Sequence, residues 1–219
     1  MSAEKVKENF FEIEKAIAES CARAGRNANE VKILAATKSQ PIEKIQVAIE
    51  AGIKICGENY VAEAEKKINE IGNAVEWHFI GHLQSNKVKK AVELFDCIHS
   101  VDSLKLAQKI NNSVTVPFPV FIEVNIGREE SKFGILPEDV PSFYREIAKL
   151  HNLEVKGLFC MAPFLSAEQI RPHFQKMRQL AEQLSLKELS MGMSNDYLAA
   201  VEEGSTMIRI GTALFGKRD

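Results

Sequence analysis

The chain has 219 residues, 45% of them hydrophobic, and a formal net charge of -2, the profile of a globular protein with one large domain or two small ones. A near-neutral balance without a basic stripe gives no pull toward nucleic acid. The charged N-terminus lacks the apolar stretch of a signal peptide, and no apolar run reaches the length of a membrane span, so a cytoplasmic protein is expected.

Val6, Phe10, Ile13, Ile17 and Cys21 recur at threes and fours between 3 and 24, and Gly25 stops the helix that they define. Apolar runs at 31–37, 53–56, 76–80, 97–101, 119–125, 154–161, 188–191 and 207–210 then read as strands. Helical stretches near 41–51, 59–71, 84–95, 103–112, 138–151, 167–185 and 196–203 lie between and after them. This alternation predicts a parallel sheet covered by helices. Eight strands close a (β/α)8 TIM barrel, while an open doubly wound sheet uses the same alternation. The expectation is one α/β domain over 1–219, with an extra N-terminal helix. Cys21, Cys56, Cys97 and Cys160 lie far apart with no CxxC pair, so no disulfide framework or zinc site is expected. His78 and His82 have a metal-like spacing, but Gly81 and a strand pattern between them remove the helical geometry, and no metal is expected.

The first strand ends on Lys38, followed by Pro41, which suits a helix start. A lysine there is either a solvated cap or an amine whose pKa desolvation lowers, as Schiff-base chemistry with a carbonyl needs. On a barrel the loops after the strands form the functional face, and five of those loops here are dense in glycine and polar residues. Ser194, Gly211 and Thr212 follow strands seven and eight, where barrels often hold phosphate; Ser194 alone also reads as a helix cap. Arg209 inside the last strand must pair with something or point into a site. Glu123 in the fifth strand is its candidate partner, and a ligand's ring nitrogen or anion is the alternative. An amine, a phosphate cradle and a buried arginine together suggest pyridoxal 5′-phosphate (PLP), with an arginine that cannot accept a proton facing the pyridine nitrogen.

Several segments carry a resemblance. They are the Lys38 strand, Gly57-Glu58-Asn59-Tyr60, the run from Trp77 to Lys87, and His99-Ser100-Val101-Asp102-Ser103. Val124-Asn125-Ile126, Ser131-Lys132-Phe133-Gly134, Leu189 to Ser194 and Glu203 to Thr212 complete them. The chain resembles the pyridoxal phosphate homeostasis proteins, relatives of the alanine racemase barrel domain. The resemblance implies a PLP fold type III barrel carrying the cofactor as a Schiff base on Lys38. It places Ser194, Gly211 and Thr212 at the phosphate, Arg209 at the pyridine nitrogen, and Asn59 and Met161 among the cofactor-binding residues. It also implies a role in vitamin B6 and amino-acid balance, with other B6 vitamers and PLP-dependent apoenzymes as further partners. Asn195 departs from the acidic residue expected there.

The alternative is an amino-acid racemase of the alanine racemase type. Racemisation wants two acid/base groups, and in those racemases the second is a tyrosine from another domain across a dimer. This chain is expected to lack that domain, so a monomeric cofactor-binding protein is expected rather than an enzyme. A pure interaction protein with a sugar-phosphate site is the third reading.

Overall fold

A computed structural model describes residues 2–217. Eight parallel strands close into a barrel in sequence order, with β1 (Lys32–Ala36) hydrogen-bonded to both β2 (Ile55–Glu58) and β8 (Met207–Ile210). Between these lie β3 (Glu76–Phe79), β4 (Cys97–Val101), β5 (Phe118–Val124), β6 (Leu153–Cys160) and β7 (Glu188–Met193). Closure removes the open edges that a doubly wound sheet would keep, and settles the alternative left by the alternation.

The helices follow their strands. After α1 (Ala3–Arg23) come α2 (Ile42–Ala51), α3 (Val61–Ile71), α4 (Val88–Leu94), α5 (Leu104–Asn111), α6 (Val140–Ile147), α7 (Ala167–Gln183), α8 (Tyr197–Glu202) and the short α9 (Thr212–Phe215). The helix α1 is the one in excess. Ser2 caps it by accepting from the Lys5 amide, and its apolar seam of Val6, Phe10, Ile13, Ile17 and Cys21 is buried. It packs across α2, α8 and α9, and buried Asn9 donates to the Leu214 carbonyl at 2.9 Å.

Most elements keep the boundaries expected from the pattern to within two residues. The exceptions are α4, which starts four residues late, and α6, which ends four residues early; the second strand shows how a shift of two arises. Gly52 ends α2 with φ 134°, and the Ile53 amide still bonds the Ala48 carbonyl at 3.0 Å. Ile53 is therefore a core plug after the helix, and the strand starts two residues later, taking in Gly57 and Glu58. Gly57 leaves room inside the barrel for Leu34, whose Cδ2 would lie 2.3 Å from a Cβ there. Gly157 is needed for another reason: a Cβ would stand 1.8 Å from the Glu188 carbonyl oxygen on the neighbouring strand.

The buried interior mixes apolar clusters with polar side chains. Leu34, Ile55, Ile80 and Met207 form one buried cluster, and Cys97, Phe121 and Phe159 another. His78, His99, Ser190, Glu123 and Arg209 are buried as well, with His99 against the rings of Phe121 and Phe159. No helix among the described residues is long and apolar enough to cross a membrane.

Candidate functional site

The C-terminal strand ends open onto a cavity of about 610 Å³. Lys38, Asn59, Met161, Ser194, Arg209, Gly211 and Thr212 all line it, Arg209 from β8 itself and the others from the loops after five different strands.

Lys38 sits two residues beyond β1, half-buried, and both its neighbours are held by a buried ionic network. Lys67, reaching in from α3, donates to the Thr37 carbonyl at 2.7 Å, to Glu58 Oε1 at 2.6 Å and to Glu63 Oε1 at 2.7 Å. The Thr37 hydroxyl donates to Glu58 Oε1 at 2.6 Å, and the Ser39 amide donates to Glu63 Oε1 at 2.6 Å. Ser39 takes φ 59° to do so, a conformation held only where surrounding bonds compel it. Burial pushes the Glu58 carboxyl up, against the hydrogen bonds of Lys67 and Thr37 that hold it down. The chain turns at Lys38 because a lysine and two acids from neighbouring elements fix it there.

Arg209 is buried in β8. Its Nη1 donates to Ser190 Oγ at 3.1 Å, and its Nη2 donates to the Cys160 carbonyl at 2.7 Å and to Met161 Sδ at 3.6 Å. Its guanidinium also lies 4.5 Å from the Phe159 ring centroid. The partner is thus a serine and a carbonyl on β7 and β6, not the Glu123 carboxylate. Glu123 feels Arg209 only at longer range, and burial pushes its carboxyl up to about 7. An arginine bonded to neutral acceptors keeps its positive charge for whatever enters the cavity.

The loops after β7 and β8 are tied together. Gly192 adopts φ 95°, where a Cβ would fall 2.6 Å from that of Ala200. The Met193 amide donates to Asp196 Oδ1 at 2.6 Å, and Ser194 Oγ accepts from the Ala213 amide at 3.0 Å. Ser194 therefore does serve as a cap, but of the turn after β8 rather than of the helix that follows it.

Sequence reasoning did not nominate Lys132, Asp196 or Lys217, which also line the cavity. Lys132 arrives on the segment after β5, which folds back so that Val124 bridges Ile135. Its Nζ bonds the Ala162 carbonyl at 3.3 Å. The signal was its place in Ser131-Lys132-Phe133-Gly134, one of the segments that carry the resemblance, and only the fold-back brings it to the mouth. Among the described residues Lys38, Lys132, Arg209 and Lys217 line the cavity with Asp196 as the one acid, so this lining is cationic.

His78 and His82 do not meet. His82 lies 3.6 Å from an Asp102 oxygen and stacks on Phe133. Buried His78 turns inward to His99, and with Cys97 they form a cluster whose ligand-type atoms lie within 4.8 Å of one another.

Residues 14–219 match the alanine racemase N-terminal domain family. A pyridoxal phosphate homeostasis protein of Aquifex aeolicus is 42% identical over 213 residues, covering 92% of this chain and 93% of its own. PipY of Synechococcus elongatus, solved with PLP bound, superposes with a TM-score of 0.80 at 36% identity, over 91% of this chain and 100% of that one. Alanine racemase of Corynebacterium glutamicum shares the fold at 16% identity, with a TM-score of 0.76 over 98% of this chain and 61% of that one. The chain belongs to the alanine racemase N-terminal domain family and, within it, to the pyridoxal phosphate homeostasis proteins.

Proposed function

We propose that the cavity binds PLP, with Lys38 bonded through its amine to the cofactor's aldehyde carbon, and that the protein holds and hands on the cofactor within the vitamin B6 pool. The observation that carries this reading is the convergence of all seven sequence-nominated residues on one cationic cavity at the C-terminal mouth of the barrel. A phosphorylated anion suits that charge. Asn59 Oδ1 adds a second fit: it is buried beside the cavity with no hydrogen-bond partner, and such an acceptor is costly unless a ligand donor meets it. Ser194, Gly211 and Thr212 take the phosphate, Arg209 faces the pyridine nitrogen as a donor only, and Met161 packs beside it.

Bound PLP supplies an aldehyde that condenses with amines and an electron-withdrawing ring. A racemase would also need a proton carrier on the face opposite Lys38. Among the described residues no tyrosine lines the cavity: Tyr60 is exposed at the start of α3, Tyr144 lies on α6, and Tyr197 opens α8. The protein works as a cytoplasmic monomer on this reading, with other B6 vitamers and PLP-dependent apoenzymes as its further partners.

The test is borohydride reduction of protein incubated with PLP, followed by peptide mapping. A stable label on Lys38, absent in Lys38→Ala, supports the reading. No label on the wild-type protein sinks it. Amino-acid racemisation by the loaded protein that is lost in Lys38→Ala would replace the carrier with an enzyme.

A further inference from the structure

A line of polar side chains crosses the barrel core from the cavity to the opposite face. Arg209 Nη1 donates to Ser190 Oγ at 3.1 Å, and Ser190 Oγ lies 3.1 Å from His99 Nδ1. His99 Nε2 lies 2.9 Å from His78 Nδ1, and His78 Nε2 lies 3.4 Å from Glu76 Oε2. Arg209, Ser190, His99 and His78 are buried, and Glu76 is exposed at the far end, where it lines a separate cavity with His78 and Cys97. The four links join β8, β7, β4 and β3.

We propose that this is a proton-ordered chain whose direction Arg209 dictates, and that Ser190, His99 and His78 are positioning residues that hold the Arg209 guanidinium toward the cavity. Arginine only donates. Ser190 Oγ therefore accepts from Arg209, and its own hydrogen has His99 Nδ1 as its acceptor. His99 must then carry its proton on Nε2 and donate to His78 Nδ1. His78 in turn carries its proton on Nε2 and donates to the Glu76 carboxylate. In this order every donor meets one acceptor. The reverse order leaves the buried Ser190 hydrogen without an acceptor and turns a bare His78 nitrogen toward a carboxylate. Buried polar groups that fail to pair are costly, so one order is selected.

The surroundings agree. Phe121 stacks on His99 at 4.3 Å between centroids and Phe159 meets it edge-on at 5.6 Å, so its faces are apolar and a second proton has no counter-charge. Burial, with His78 and Arg209 nearby, keeps His99 well below its ordinary range and so neutral. The hydrogen bond from His78 holds the Glu76 carboxyl below its usual range and so ionised. Cys97 beside them is kept a thiol by burial, and Lys32, Asp96, Lys156 and Glu188 line the far cavity around Glu76. Of the five N–H groups of Arg209, Ser190, Cys160 and Met161 occupy three and leave two for a ligand.

A metal held by His78, Cys97 and His99 is the rival account of the same side chains. It requires a lone pair on His99 Nε2 and hence the proton on Nδ1, the opposite tautomer. Long-range proton–nitrogen spectra of ¹⁵N-histidine-labelled, PLP-free protein separate the two, recorded with chelator and again with added zinc. The chain requires Nε2–H on both histidines in both samples. A proton on Nδ1 of either histidine, or a zinc-dependent change at His99, overturns it.

Direction is tested by cutting the chain at two places. In a Glu76→Ala background, which removes the anchor at the other end, Ser190→Ala detaches both histidines from Arg209, so each loses its single tautomer. His78→Phe cuts below His99 and leaves the His99 tautomer unchanged. The opposite pattern refutes control by Arg209, and if Ser190→Ala does not fold, His78→Phe alone retains this outcome. The link to the ligand rests on the PLP reading. Ser190→Ala should weaken PLP binding about tenfold, the effect of one hydrogen bond to a charged group, with Ser190→Thr restoring it. Unchanged affinity in a folded Ser190→Ala protein denies the positioning role. If the wild-type protein binds no PLP, the cofactor reading fails while the tautomer result still judges the chain.

Discussion

Glu123 makes stability fall with rising pH. Its carboxyl is buried on β5, burial is the largest cause of its shift, and nearby Asp102 adds to it while Arg209 opposes it. In the unfolded chain the group titrates near 4.5, and in the fold near 7. Below pH 4.5 it is protonated in both states and folding carries no charging penalty. Between the two values the folded state holds the extra proton, so stability declines as pH rises. The separation of about 2.5 units corresponds to about 3 kcal/mol, fully lost once pH passes 7. Glu123→Gln removes the titration. The stability of wild type relative to Glu123→Gln should drop by about 3 kcal/mol between pH 4.5 and 7.5, which in a domain of this size is roughly 6–12 °C in Tm. Urea and thermal melts of ligand-free protein across that range measure it. Two profiles that stay parallel would refute the reasoning, because the difference between the two proteins contains little besides this one group.

The clamp beside Lys38 gives a second test. Lys67→Met strands the fully buried Glu58 carboxylate and should cost about 3–5 kcal/mol, while Lys67→Met combined with Glu58→Gln should recover much of it; urea melts showing less than about 1 kcal/mol for the single variant would remove the clamp from the account. Ser194→Ala deletes the hydroxyl that accepts from the Ala213 amide. It should weaken PLP about tenfold and leave phosphate-free pyridoxal unaffected in titrations followed by absorbance; an equal loss for both ligands would place the phosphate elsewhere.

How much of this was readable beforehand follows from the range over which each interaction acts. The barrel was legible because each βα unit is local: an apolar run, a turn and an amphipathic stretch declare themselves within about twenty-five residues. The place of Lys38, Ser194 and Arg209 at the cavity was legible for the same reason, each being an odd residue type at a recognisable place on a strand or just after one. The partner of Arg209 was not. Glu123 carries the complementary charge, so sequence reasoning chose it, yet parallel-strand neighbours matter more than charge at such distances. Met193 on β7 pairs with Arg209 and Ser190 with Met207, and the irregular register between them sets Ser190 beside the guanidinium. A one-residue slip would turn that serine to the other face of the sheet.

His78 and His99 show the same limit from the other side. Their spacing of 21 residues carries no motif, and the eye pairs His78 with His82, four residues on. The barrel forbids that pairing. His78 points inward from β3, whereas His82 lies beyond the strand end among Phe133 and Asp102. Once β3 and β4 are in register, with His78 opposite Cys97, alternation sends His99 inward two residues further on. The ring of His99 then reaches both His78 and Ser190. Three buried polar residues that look like scattered accidents in the sequence become one continuous path because the closed sheet gives them a common interior. In a core where unpaired polar atoms are costly, that path has to end on groups able to anchor it. Arg209 at the cavity and Glu76 in solvent are those two ends, one a permanent donor and the other an ionised acceptor.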